Sequence, residues 1–218
     1  MPSSVRHAGA AAPVASRVTG VVLAGGGATR FGGAAKGLAR VGGDRIIDRV
    51  AGALGAVCDE LLLVANAPDA AAWLPGVRLA RDVLPGLGSL GGLHAALAHA
   101  GGAAVVVVAW DMPFVPASLL AALRDAGAAG ATAVVPESDD GPEPLCAYYG
   151  PACRRVAEAL LGAGERRARA LGEAVGARRL GVREVARHGD PRVLFWNVNT
   201  PDDLAAAEAV VPGAKVAA

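Results

Sequence analysis

Cysteine is scarce in this chain: Cys58, Cys146 and Cys153 are widely spaced and form no C-x-x-C pair. That pattern excludes a disulfide framework and a structural zinc site, and leaves small buried thiols in a reducing cytosol. Lysine is also sparse against abundant alanine, a compositional style that reads as genomic bias rather than as a functional segment. Charge of either sign is nearly balanced, with a net value of +1 at pH 7. No general attraction to nucleic acid or to a membrane is expected, so an anion site must be local. Long hydrophobic runs are missing as well, since no apolar stretch reaches the roughly 18–20 uncharged residues needed to span a bilayer. Residues 1–16 hold Arg6 and an alanine-rich run, but Pro13 interrupts it and no aliphatic h-region precedes the first strand, so it reads as a tail rather than a signal peptide. A soluble, cytoplasmic protein is expected, with no nucleic-acid or membrane partner.

The 218 residues fit one α/β domain. The division expected is a flexible tail at 1–16, the domain at 17–211 and a second tail at 212–218. A hydrophobic fraction of 53% is inflated by small residues, yet Val/Leu/Ile-rich runs suffice for a sizeable core. Short apolar runs alternate with helical periodicity, the pattern of a sheet with crossover helices. Strands are expected at 18–24, 60–65, 77–80 and 103–109, the last with four consecutive valines and buried on both faces. Helices are expected from Asp44 onward, with Ile46, Ile47, Val50, Leu54 and Val57 on one face, and at 90–100 and 117–126. The second half is less regular: strands at 131–135 and 144–149, the latter a candidate antiparallel strand, helices at 151–161 and 165–175, and extended segments at 182–185 and 192–198. Thr200-Pro201-Asp202-Asp203 opens a last helix, with an N-cap, proline at the first position and acids in the first turn.

The most informative segment is Val21-Val-Leu-Ala-Gly-Gly-Gly-Ala-Thr-Arg-Phe-Gly-Gly-Ala-Ala-Lys36, an apolar strand running into a glycine-rich, cationic loop. Glycines 25, 26 and 27 permit positive φ and remove side chains that would keep a triphosphate from the backbone N–H groups. Arg30 and Lys36 add positive charge. Neither of the two better-known phosphate loops fits. A dinucleotide fingerprint fails because Arg30 stands where the third glycine is required. A P-loop fails because Lys36 follows Ala35 and precedes Gly37.

Ligands of open α/β sheets bind beyond the carboxyl ends of the strands. Four expected strands deliver polar or glycine residues there: the glycine loop, Asn66, Asp82 and Asp111. Asp111, in Ala-Trp-Asp-Met-Pro-Phe-Val-Pro, follows the most buried strand and suits Mg²⁺, which completes its shell with waters and substrate phosphates. Pro113 and Pro116 argue against a mere helix cap. In Phe195-Trp-Asn-Val-Asn-Thr-Pro, alternation would put Asn197 and Asn199 on one side, where one of them would supply a neutral metal or phosphate contact, the alternative being that Asn199 merely precedes the cap of the last helix. His94 and His99 lie outside H-E-x-x-H spacing and read as core or surface histidines.

Strand, L-A-G-G-x-x-x-R-F-G-G-x-x-K-G-L, Asn66, Asp82, Asp-Met-Pro-Phe, Gly164-Glu-Arg-Arg167 and Asn197-Val-Asn-Thr-Pro together resemble the molybdenum cofactor guanylyltransferases of the NTP-transferase superfamily. The resemblance runs from Leu23 to Leu204. It implies a Rossmann-like, three-layer α/β sandwich of the nucleotide-diphospho-sugar transferase type, with a mostly parallel sheet containing an antiparallel strand. It also implies GMP transfer from GTP to the terminal phosphate of molybdopterin, forming the guanine dinucleotide and releasing pyrophosphate. Lys36, Arg30 and Asp111 would be catalytic, and Leu23, Ala24, Gly25, Gly26, Lys36, Asn66, Asp82 and Asp111 would hold GTP and Mg²⁺, with Asp111 on the metal. Arg166, Asn197 and Asn199 are candidates for the pterin. Arg167 and Arg169 join them as candidates, a solvated helix face being the alternative. A molybdopterin-loading protein and molybdoenzymes are the partners implied.

Three positions depart from the family pattern: Ala35 stands where Asp is usual, Ser89 replaces proline in Gly-Ser-Leu-Gly-Gly-Leu, and Trp110 precedes the aspartate where small residues or Cys are usual. Two alternatives stay open from the residues alone: a cytidylyl or other sugar or cofactor NMP transferase, and a non-catalytic GTP-binding adaptor.

Overall fold

The computed structural model describes residues 17–25 and 36–211. In chain order its elements are β1 (Val18–Ala24), β2 (Arg40–Val41), β3 (Asp44–Arg45), α1 (Ile46–Gly55), β4 (Glu60–Ala65), β5 (Arg78–Ala80), α2 (Gly88–His99) and β6 (Ala104–Ala109). There follow α3 (Ala117–Ala128), β7 (Ala133–Ser138), β8 (Gly141–Pro142), β9 (Cys146–Tyr149), α4 (Cys153–Gly162) and α5 (Arg169–Ala174). The chain closes with β10 (Arg178–Leu180), α6 (Val182–Val185), α7 (Pro191–Leu194) and α8 (Pro201–Val210).

Alternation along the central strands divides their side chains between two core layers. In β1, Val18, Val22 and Ala24 face one layer while Val21 and Leu23 face the other. In β6, Val106 and Val108 face the first layer, and Val105 and Val107 the second. On the first face, α1 contributes Ile47, Val50 and Leu54, and α3 contributes Leu119, Leu120 and Leu123. On the second, α2 contributes Leu90, Leu93 and Leu97, α4 Ala157 and Leu161, and α5 Leu171. The result is a three-layer α/β/α sandwich, and its unbroken valine run reads as a parallel strand covered on both sides.

The strand order is β10-β7-β9-β6-β1-β4-β5, with β8 beside β7. β9 runs antiparallel between β6 and β7, whereas the pairs among β6, β1, β4 and β5, and between β7 and β10, are parallel. The expected antiparallel strand is therefore present. Between β1 and β6 the order changes direction: β4 and β5 lie to one side of β1, and β6 to the other.

A satellite core forms outside the sheet. Val41 of β2, Ile46, Val198 and Ala207 of α8 are buried together, and the Gly42 N–H donates to Glu208 Oε2 at 3.1 Å. This packing draws the segment after Lys36 and the segment before α8 to one place. No helix among the described residues is long and apolar enough to cross a membrane.

Three expected elements are corrected. Residues 182–185, expected extended, form α6, because the Glu184 carboxylate accepts the Gly181 N–H at 3.2 Å while the Gly181 carbonyl accepts the Glu184 N–H at 2.8 Å, and the strand ends at Leu180. Residues 192–198 are not a strand either. Asp190 accepts from the Arg192 N–H, and Pro191 at the first helical position starts α7 instead. The helix expected at 165–175 begins only at Arg169, since the Glu165 carboxylate captures the N–H groups of Arg166 and Arg167 and holds that stretch as a loop.

Candidate active site

Pairing register explains why the four strand-end residues meet. Leu23 pairs with Ala109, Ala24 with Ala65 and Val64 with Ala80. Continued to the strand ends, the same register sets Asp111, Gly25, Asn66 and Asp82 in one row across β6, β1, β4 and β5. The row lies at the carboxyl edge and includes the switch between β1 and β6, where doubly wound sheets open a crevice. A cleft of about 510 Å³ occupies this place. Its walls are Leu23, Ala24 and Gly25 from β1, Asn66 and Asp82, the Gly86–Gly92 turn into α2, Asp111 with Trp110, Leu145, and Asn197.

One end of the row is an almost buried charge cluster. Lys36 Nζ donates to Asp111 Oδ2 at 2.5 Å and to Asn199 Oδ1 at 2.7 Å. The side chains of Lys36 and Asp111 are 15% and 9% exposed, so their attraction is only weakly screened. Three separate pieces of chain build it. Lys36 starts a 3-10 turn, Lys36–Leu38. Asp111 follows β6, and its carbonyl accepts the Val198 N–H at 2.9 Å. That single backbone bond presents Asn197 and Asn199 on either side of the buried Val198. Asn197 lines the cleft and Asn199 binds Lys36, although the segment is not a strand.

The other end is open to solvent. Asn66 Nδ2 donates to Asp82 Oδ2 at 2.7 Å, and the Asp82 N–H donates to Asn66 Oδ1 at 3.0 Å. Arg81 reaches back to the Asn66 carbonyl at 3.1 Å. These bonds fix the amide of Asn66 and leave Asp82 Oδ1 directed at no protein donor among the described residues.

Between the ends, α2 points its first turn at the cleft. Gly88 has φ +66°, and a Cβ there would lie 2.8 Å from the Arg166 carbonyl oxygen, so only glycine permits the approach. Ser89 Oγ accepts the Ala168 N–H at 2.9 Å, and the Arg166 carbonyl accepts the Leu90 N–H at 3.0 Å. The serine at this position thus docks the Glu165–Ala168 loop onto the helix start. Arg166 caps the Leu161 carbonyl at 3.1 Å, Arg167 pairs with Glu165 and Arg169 with Glu173. None of these three arginines lines the cleft.

Gly26, Gly27, Arg30 and Ala35 lie outside the described residues. Gly25 lines the cleft without adopting a left-handed conformation, contrary to expectation, and a Cβ there would meet nothing within 4 Å among the described residues. His94 is a core residue with Nε2 3.3 Å from Glu158 Oε1, and His99 Nε2 lies 3.1 Å from the Arg81 carbonyl. Neither lines the cleft. Two features had no sequence signal: the ion pair of Lys36 with Asp111, and the packing of Trp110 against Gly37. The three cysteines are free, and burial pushes the Cys58 and Cys153 thiols up to about 11.

Comparison with known proteins adds an independent line. Residues 20–180 match the model of the MobA-like NTP transferase domain. The chain is 35% identical over 200 residues to the molybdenum cofactor guanylyltransferase of Desulfosudis oleivorans, covering 91% of this chain and 98% of that protein. It is 36% identical over 204 residues to the enzyme of the same name from Cereibacter sphaeroides, covering 89% and 97%. Among solved structures it is similar to molybdopterin-guanine dinucleotide biosynthesis protein A from Archaeoglobus fulgidus. That match has a TM-score of 0.74 and 31% identity, and covers 88% of this chain and 97% of the other.

Proposed function

This chain belongs to the MobA-like NTP transferase family, and on that premise we propose that it transfers GMP from GTP to the terminal phosphate of molybdopterin, releasing pyrophosphate. The observation that carries the reading is the Lys36–Asp111–Asn199 cluster at one end of a cleft whose other end is the preset Asn66–Asp82 pair. The first suits phosphates and the second suits a base. Covering nearly the full length of relatives named for this reaction supports the same choice.

In the reaction, a terminal oxygen of the pterin phosphate forms a bond to the α-phosphorus of GTP, and the bond from that phosphorus to the bridging oxygen breaks. Pyrophosphate leaves with the electron pair. No base is required, because a phosphate monoester has a second pKa of about 6 and is mostly dianionic at neutral pH. The protein must instead offset the repulsion of two anions and align the attacking and leaving oxygens. Lys36 carries its ammonium already desolvated and oriented, so exchanging part of its contact with Asp111 for a phosphate oxygen requires little rearrangement. Arg30 is assigned to the phosphates from the sequence pattern.

Mg²⁺ fits this site as a companion of the triphosphate. Among the described residues no three His, Cys, Asp or Glu side chains gather as a metal-holding group, and a single carboxylate with substrate phosphates and waters is a donor set that Mg²⁺ accepts. Asp111 would hold it through carboxylate oxygen, and the ion when bound supplies charge neutralisation on the phosphates. Asp82 and Asn66 are assigned to the guanine nucleotide. Asp82 is an acceptor, which suits the N–H edge of guanine and rejects a base that lacks donors there.

The test is pyrophosphate release by the purified protein with Mg²⁺ and fresh molybdopterin. Release is expected with GTP and only when the pterin is present. Preferential use of CTP would make the chain a cytidylyltransferase. Tight GTP binding without product in a single turnover would make it an adaptor.

A further inference from the structure

We propose that Trp110 is a positioning residue, which sets the Lys36 ammonium by seating the neighbouring Gly37 on its indole ring. The reason why Lys36 must be placed rests on the nucleotidyl-transfer reading; the contact itself does not.

Gly37 is buried within the 3-10 turn that Lys36 begins. A Cβ built on it would lie 2.4 Å from Trp110 Cε3, 2.7 Å from Cδ2 and 3.1 Å from Cζ3. The backbone of the turn therefore rests directly on the indole, at a distance no side chain at position 37 permits. The ring itself is backed. Trp110 is 3% exposed and stacks on Trp73 with ring centroids 4.9 Å apart and planes 21° apart. Trp73 is in turn tied by its Nε1–H to Asp69 Oδ2 at 3.0 Å. Below, the Trp110 N–H donates to the Leu23 carbonyl at 3.1 Å, joining the end of β6 to the end of β1.

Lys36 precedes Gly37 and Asp111 follows Trp110, so the ring seat and the ion pair are two adjacent links between the same two segments. A lysine ammonium on a flexible four-carbon stem is poorly placed by an ion pair alone. The seat fixes the backbone from which that stem leaves. Gly37 meets only ring carbons of Trp110, so at this contact the indole acts as a flat, rigid surface.

The experiment is calorimetric titration of the full-length protein with Mg–GTP in double-mutant cycles. Gly37→Ala and Trp110→Ala are each expected to weaken binding about tenfold, and Trp110→Phe, which keeps a ring, by no more than about threefold. If the indole acts through Lys36, then Lys36→Ala costs about tenfold in the native background and less than about twofold in either variant. Additive losses overturn the proposal, because they mean that the indole touches the nucleotide directly. Gly37→Ala leaves both tryptophans in place, so the cycle is readable even if Trp110→Ala does not fold, and retention of the exciton band of the tryptophan pair in circular dichroism checks this. A Gly37→Ala protein that keeps the band and binds as wild type also overturns it. Absence of GMP transfer in the turnover assay would sink the functional reading while leaving the binding cycle intact, whereas additive losses with normal turnover would sink the positioning role alone.

Discussion

The two ends of the strand-end row hold hydrogen-bonded pairs of opposite construction. Lys36 and Asp111 carry full charges, are largely withdrawn from water and share a third partner, Asn199. Asn66 and Asp82 are an amide and a carboxylate beside solvent, locked together by two hydrogen bonds. A buried pair costs desolvation to form and leaves an uncompensated charge when one partner is lost. An exposed pair contributes little to stability but fixes which way its atoms point. Charge held ready out of water suits bond making between anions, and preset orientation at the surface suits recognition of a base.

Removing the buried carboxylate is the largest way to break this contrast. Asp111→Ala is expected to lower turnover about a thousandfold and to lower the melting temperature, since Lys36 then keeps only the Asn199 oxygen. Adding Lys36→Met should recover stability without recovering activity, because the stranded charge is gone. Pyrophosphate release and thermal melts measure both. An Asp111→Ala protein with normal stability would show that the pair carries no buried charge.

The exposed pair should fail differently. Asp82→Ala is expected to reduce the preference for GTP over CTP, as a ratio of kcat/KM, by about a hundredfold. The maximal rate at saturating GTP should stay within about threefold, and stability within about 0.5 kcal/mol. If the rate collapses while base preference survives, the division of labour between the two ends is wrong.

How much of this was legible in the sequence follows the same divide between regular and local order. β1 and β4 run over the expected residues because each is a continuous apolar run closed by a polar or glycine residue. Gly25, Asn66, Asp82 and Asp111 were legible as strand ends, and register does the rest. The segments misread, 165–168, 182–185 and 192–198, are short, and side-chain bonds to nearby N–H groups decide them rather than periodicity. Asp190-Pro191 carried a helix-start signal that the neighbouring β-branched residues concealed. The Lys36–Asn199 bond spans 163 positions. Nothing local announces it, since it depends on α8 packing against β2 and on Val198 bonding to Asp111.

The smallest effect tests whether the buried pair depends on a solvent-side cap. Asp203 Oδ2 accepts the N–H groups of Asn199 and Thr200, both at 2.9 Å, while Thr200 Oγ1 accepts the Asp203 N–H at 3.1 Å. The Asn199 N–H is the main cause that holds the Asp203 carboxyl below its ordinary value, with Thr200 adding to it. A depressed folded pKa means the stabilisation is complete above the unfolded value of about 3.9 and is lost as pH falls through the folded one. Asp203→Ala is therefore expected to cost about 1 kcal/mol at pH 7, as other N-terminal capping losses do. The melting curves of wild type and variant should converge in acid below pH about 4. Because Asn199 is the residue released, KM for GTP should rise about twofold with kcat unchanged. A gap in stability that persists in acid would assign the loss to packing of α8, and an unchanged KM would show that Asn199 is held by Lys36 rather than holding it.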